Sequence, residues 1–216
     1  MDRIAPRDQL RGRETRQRVI DAATEEFAEY GVAGARINRI AGTARASKER
    51  IYAWFGDKDS LFGAVMQNGL DTLADAVPID VDLVEYTVRL YDYFARDESA
   101  QRIAVWAWLH DAATAGAFPN GRTRGYSHKL DVIRQAQGEG LADRAWRPEE
   151  LLALLLAVAA NWHRAPAELR AIDPSGFHAD AVAQRVSVRQ AARRLVEPPV
   201  TDMAAPAARS DSAETL

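Results

Sequence analysis

Apolar residues recur every three or four positions along almost the whole chain, and no stretch alternates strictly or gathers a run of β-branched residues. That period gives each segment one apolar stripe and leaves nothing to build a sheet from, so the expected fold class is all-α. Helices are expected over 13–30, over 37–44, after Ser47, from Asp57 to just before Pro78, and then over 81–96, 99–113, 123–137, 148–164 and 177–197, about nine in all. Ile20, Ala23, Phe27 and Tyr30 mark the inner face of the first, and Gly31 can take the left-handed conformation that stops it. Pro119-Asn120-Gly121, Gly138-Glu139-Gly140 and Asp173-Pro174-Ser175-Gly176 punctuate the second half into antiparallel helices. The expected organisation is a flexible arm over 1–12, a three-helix unit over 13–60, a connecting helix over 61–78 and a larger antiparallel helical bundle over 79–197. A disordered tail over 198–216 follows, because consecutive prolines and small residues offer too little apolar surface to offset ordering.

Several function classes fall away. The chain has no cysteine, which removes disulfides, thiolate metal sites and a cysteine nucleophile. Its longest apolar run, 151–160, is half of the ~20 residues a membrane span needs. The arginine-rich start is followed by no signal-like apolar stretch, so the cytoplasm is the expected location and no membrane partner is expected. No HExxH, GxSxG, phosphate-loop or GxGxxG pattern occurs, and His110-Asp111 adjacency alone is a weak catalytic signal. No enzyme, metal or cofactor is expected. A helical enzyme or a purely structural interaction module is the competing reading, and neither accounts for the charge pattern that follows.

Net charge is −3, but residues 1–60 hold 12 basic against 10 acidic residues while the remainder holds 16 against 21. Between Arg36 and Arg50 the basic residues Arg36, Arg39, Arg45, Lys48 and Arg50 are opposed only by Glu49. A short helix over 37–44, a tight turn and a second short helix capped by the Ser47 hydroxyl make a helix-turn-helix layout. Such a unit can lay its second helix in a major groove with its first turn against base edges. Lys48 and Arg50 can donate to guanine O6 and N7, and Glu49 can accept from cytosine N4. Arg36, Arg39 and Arg45 are each as much candidates for phosphate contact as for ordinary solvated surface, and Ile40, Ala41, Ile51 and Phe55 read as core.

VIDAATEEFAEYGVAGARINRIA (19–41) and SKERIYAWFGDKDSLF (47–62) resemble the DNA-binding domain of the tetracycline-repressor (TetR) family, with Phe27, Gly31, Ile40, Ala41, Ser47, Tyr52, Phe55, Lys58, Leu61 and Phe62 at its signature positions. The resemblance implies a homodimeric repressor that binds double-stranded operator DNA and is released by a small organic effector, here unknown. It also implies that Tyr52 and Lys58 touch phosphates. The expected DNA-binding set is therefore Arg36, Arg45, Ser47, Lys48, Glu49, Arg50, Tyr52, Trp54 and Lys58. Three positions depart from the family pattern: Arg36 stands where threonine is common, Arg45 where the turn glycine is usual, and Trp54 where histidine is frequent.

In the second half, LLALLLAVAA (151–160) is apolar almost all round, and the last helix carries Ala181, Val188, Ala192 and Leu195 on one stripe. The resemblance implies that the last two helices form a four-helix dimer interface, for which Leu151, Leu155, Ala159, Ala181, Val188, Ala192 and Leu195 are the expected contacts. Aromatic residues gather in this half, and Trp106, His110, Tyr126 and Trp162 are the expected effector-binding residues.

Overall fold

The computed structural model describes residues 6–114, 121–161, 166–172 and 180–198. Among these the secondary structure is entirely helical: α1 (Pro6–Gly34), α2 (Ile37–Ala44), α3 (Lys48–Phe55), α4 (Lys58–Ala76), α5 (Leu83–Arg96), α6 (Glu98–Thr114), α7 (Gly121–Gly138), α8 (Pro148–Asn161), α9 (Ala167–Ile172) and α10 (Ala181–Val196). The short α9 adds to the helices expected, inside a stretch read as connection. Helix α1 begins at Pro6, so residues 6–12 are helical where a flexible arm was expected. Proline suits a first helical turn, where its missing N–H costs nothing. The remainder of that arm, and the tail from 199 onward, lie outside the described residues.

The helix starts are set by side-chain caps. Ser47, Asp57, Asp82 and Asp180 each accept from a backbone N–H in the first turn that follows: Arg50, Ser60, Glu85 and Val182 respectively. Each such cap contributes about 1 kcal/mol. Helix α1 breaks at Gly31, whose backbone (φ 64°, ψ 177°) is open only to glycine. A Cβ there would stand 2.8 Å from carbons of the Trp106 indole, so α6 crosses α1 at closest approach where α1 bends.

Two main cores follow. The first joins α1–α4 around Val19, Phe27, Ile40, Ile51, Leu61 and Phe62, with Phe27 and Phe62 edge-to-face at 5.1 Å. Ile103 of α6 is buried in this same core and Trp106 packs against it, so the α1–α4 unit and the bundle share apolar contacts. The second lies between α5, α7, α8 and α10, around Leu83, Ile133, Leu151, Leu155, Ala192 and Val196. Polar ties reinforce the α5–α10 pair: the Tyr91 hydroxyl lies 2.6 Å from Gln184 Oε1, Arg185 donates to Asp92 at 3.0 Å, and Arg189 pairs with Glu85.

This packing revises the expected dimer contacts. Leu151, Leu155, Ala159, Val188 and Ala192 are fully buried inside the single chain, and Leu195 packs against the second core. They are intramolecular core, because α8 and α10 turn their most continuous apolar stripes toward α5 and α7. Of the expected set only Ala181 is exposed. The apolar side chains these helices leave open are instead Ala153 and Ala157 on α8 and Val182, Ala183 and Val186 on α10.

Candidate nucleic-acid interface

Helix α3 is anchored from below and bare above. Ile51 and Phe55 are buried in the first core, while Lys48, Glu49, Arg50, Tyr52 and Ala53 are exposed. With a period of 3.6 residues, fixing Ile51 and Phe55 inward turns Glu49, Arg50 and Ala53 away from the protein, while Lys48 is exposed at the open first turn. Tyr52 is 48% exposed, a large ring placed in solvent. Arg50 lies over Trp54, with its guanidinium carbon 5.7 Å from the ring centre. Trp54 itself is half-buried against the first core, so it acts as a platform for Arg50 more than as a projecting contact.

The turn between α2 and α3 keeps the geometry that glycine would favour. Arg45 adopts a left-handed backbone (φ 52°, ψ 45°), among the described residues the single non-glycine with positive φ. Ala46 N–H reaches back to the Ala41 carbonyl (3.0 Å) and Arg45 N–H to that of Gly42 (3.3 Å), which closes the end of α2. The Arg45 side chain is exposed beside α3.

The start of α2 lacks a capping hydroxyl, as the arginine at position 36 requires. Glu26 fastens the helix start in another way. Its carboxylate, almost fully buried, accepts from the Arg36 N–H (2.8 Å) and from Arg39 Nε (2.8 and 2.9 Å). Burial alone would push the Glu26 carboxyl up, but the Arg39 side chain and the Arg36 N–H outweigh it and hold it below the ordinary carboxylate value. Arg39 also donates to the Gly34 carbonyl (3.1 Å) and lies 4.2 Å over the Tyr30 ring. Its charge is matched by Glu26, so Arg39 holds α2 in place while Arg36 remains exposed.

Three further cations brace the unit. Arg16 lies 4.9 Å over the Phe55 ring, and Arg18 donates to the Ala44 carbonyl (3.2 Å) at the end of α2. Lys58, at the first turn of α4, donates to the Ala33 (3.3 Å) and Ala35 (3.5 Å) carbonyls. None of these pairings was visible in the sequence, because each joins residues on different helices or loops. What remains free on the outer surface is a basic patch of Arg36, Arg45, Lys48 and Arg50 with Glu49 inside it.

The expected effector residues are described only in part. Trp106 packs against Gly31 and the first core, Trp162 lies outside the described residues, and so does the side chain of His110. Tyr126 does line a cleft of about 980 Å³ between α1 and α4 on one side and α5–α8 on the other. Among the described residues no helix is long and apolar enough to cross a membrane.

Residues 19–65 match the family described as bacterial regulatory proteins, tetR family, and residues 82–194 match the family described as tetracyclin repressor-like, C-terminal domain. The chain is 36% identical over 184 residues to the transcriptional repressor SCO4008 of Streptomyces coelicolor, covering 85% of this chain and 95% of that protein. It is 36% identical over 95 residues to the transcriptional regulator HbdR of an Aromatoleum species, covering 44% of this chain and 37% of that one. Among solved structures, SCO4942 of Streptomyces coelicolor, described as a transcriptional regulator, superposes with a TM-score of 0.72 at 36% identity, over 84% of this chain and 98% of the other.

Proposed function

The chain belongs to the TetR family of bacterial DNA-binding transcriptional regulators, and from that premise we propose that it acts in the cytoplasm as a homodimeric repressor released from its operator by a small organic molecule. The observation that carries the DNA-reading assignment is helix α3, rooted by Ile51 and Phe55 and presenting Lys48, Glu49 and Arg50 outward from a Ser47 cap. Lys48 and Arg50 read guanine and Glu49 reads cytosine. Arg36, Arg45 and Tyr52 contact phosphates, and Lys58 turns from the Ala33 and Ala35 carbonyls to a phosphate when DNA is present. Two copies of α3 about 34 Å apart would enter successive major grooves, which requires a symmetric dimer. The open apolar side chains Ala153, Ala157, Val182, Ala183 and Val186 support a pairing of α8 and α10 with those of a second copy. Relatives named as regulators and the absence of any recognised catalytic motif support a role without catalysis.

The test is selection of bound fragments from a random duplex library by the full-length protein, followed by anisotropy titration at several salt concentrations. A palindromic operator whose affinity falls steeply with salt is expected. A protein that binds no duplex more tightly than random DNA would overturn the reading.

A further inference from the structure

The 980 Å³ cleft is walled on one side by the DNA-binding half itself: Asp21, Thr24 and Glu25 of α1 face it, with Val65, Met66 and Leu73 of α4 as apolar floor. Across from them stand Tyr93 and Phe94 of α5, edge-to-face at 5.8 Å, and Tyr126 of α7. We propose that this interdomain cleft binds a flat organic cation, held between its aromatic side chains and the carboxylates of α1 and Asp97, so that the effector touches the DNA-reading half directly. The proposal rests on the reading of the chain as an effector-released regulator.

Charge selects the ligand class. Asp21, Glu25 and Asp97 line the cleft, and among the described residues no basic side chain pairs with any of them. Asp21 accepts from the neutral Gln17 amide (2.9 Å), and Asp97 from the Ala100 N–H (3.0 Å) at the start of α6. Among the described residues the one cation on the lining is Lys129, 5.7 Å from the Tyr126 ring centre, and burial lowers its pKa. Among the described residues three carboxylates stand against one ammonium, which sets a negative field over aromatic faces that attract cations in their own right. The volume suits a fused-ring molecule. Next to the cleft, the Tyr86 hydroxyl is buried and among the described residues has no hydrogen-bond partner, in the cluster that holds Leu73, Tyr93 and Leu156 of the lining.

The geometry also gives the ligand a route to the DNA. Asp21 and Glu25 sit on the helix that bends at Gly31 and leads into α2, so a cation drawn between them and α5–α7 bears on the same rigid element that positions α3.

The experiment titrates N-methylacridinium and the matched anion acridine-9-carboxylate into the full-length protein, following probe fluorescence and operator anisotropy. The wild type should bind the cation about tenfold or more tightly than the anion, and the cation should displace operator. Asp21→Asn with Glu25→Gln, both exposed positions, should weaken the cation about tenfold at low salt while operator binding, the control for folding, stays at least as tight. Cation binding that ignores this double substitution, binding of neither probe, or tighter binding of the anion lost in Lys129→Met would each overturn the proposal. An anion that displaces operator would leave the effector reading standing, whereas an operator complex that a broad panel of neutral, anionic and cationic compounds fails to release would overturn the effector reading as well.

Discussion

Helices α1–α4 close an apolar core, lock it with polar latches and leave charge outward; helices α5–α10 are joined by apolar faces and by ion pairs between α5 and α10, and leave apolar side chains outward as well. In the first half, Glu26 latches α2, Arg18 closes its far end, Ser47 and Asp57 start the next two helices, and Arg36, Arg45, Lys48 and Arg50 remain exposed. In the second, Leu83, Leu151 and Leu155 disappear into the core while Val182 and Val186 are 69% and 49% exposed. The difference separates two kinds of partner. A phosphodiester needs rigidly held, hydrated cations whose rotamers are free to meet it, and a second protein copy needs flat apolar area that gains by leaving water.

The sharpest break of this division lies where the halves touch. At Gly31 any side chain meets both a backbone conformation reserved for glycine and the rigid Trp106 ring. Gly31→Ala should therefore destabilise the protein by about 2–5 kcal/mol in urea titrations, the sum of backbone strain and overpacking. In a Trp106→Ala background the same glycine substitution should cost less, the difference being the packing part and the remainder the backbone part. A loss under about 1 kcal/mol would mean that α1 and α6 can slide apart there and that the junction is not a fixed hinge point.

Within the bundle, the comparison between inner and outer faces can be tested on one helix. Leu155→Ala opens a void in the second core and should cost about 2–5 kcal/mol of protomer stability. Ala153→Glu lies on the open face of the same helix and should leave the protomer folded while shifting light-scattering mass from dimer to monomer. A wild type that is monomeric at micromolar concentration would remove the dimer.

On the other half, Arg50→Ala should cost about 1–3 kcal/mol of discrimination at one base pair and little affinity for random DNA. Lys58→Ala should weaken all sequences alike and lower the slope of log affinity against log salt by about one. Operator preference unchanged after Arg50→Ala would move the base-reading role to Lys48 and Glu49.

How far these features could be read beforehand follows the same division. The all-helical class, the Ser47 and Asp57 caps, the Gly31 break and the inward turn of Ile40, Ile51 and Phe55 are consequences of neighbours within one helical turn or so, and the residue order exposes them. The Glu26 latch on Arg39 and the seat of Arg16 on Phe55 join different helices, so nothing local marks them. In α8 every face is apolar, so periodicity could not say which stripe the bundle would take, and the residues chosen for a partner proved to be core. Trp106 was assigned to a pocket on composition, whereas the partner that fixes it is a glycine, which carries no pattern of its own.

The smallest effect expected is also the one that links stability to DNA contact in a single side chain. Arg45 holds a left-handed backbone at the turn where glycine is free of strain, at a cost of about 1 kcal/mol. Glycine there would relieve that strain but would lose more chain entropy on folding, about 0.5–1 kcal/mol, so Arg45→Gly should raise stability by no more than about 0.5 kcal/mol. The same substitution removes an exposed guanidinium beside α3. If that group meets a phosphate, operator affinity should fall and the salt slope should shrink by about one, even as the melting temperature holds or rises slightly. Affinity and stability moving in opposite directions would identify Arg45 as a strained residue kept for its charge. Wild-type salt slope in Arg45→Gly would confine the phosphate contacts to Arg36, Tyr52 and Lys58 and leave the left-handed arginine without a role in binding.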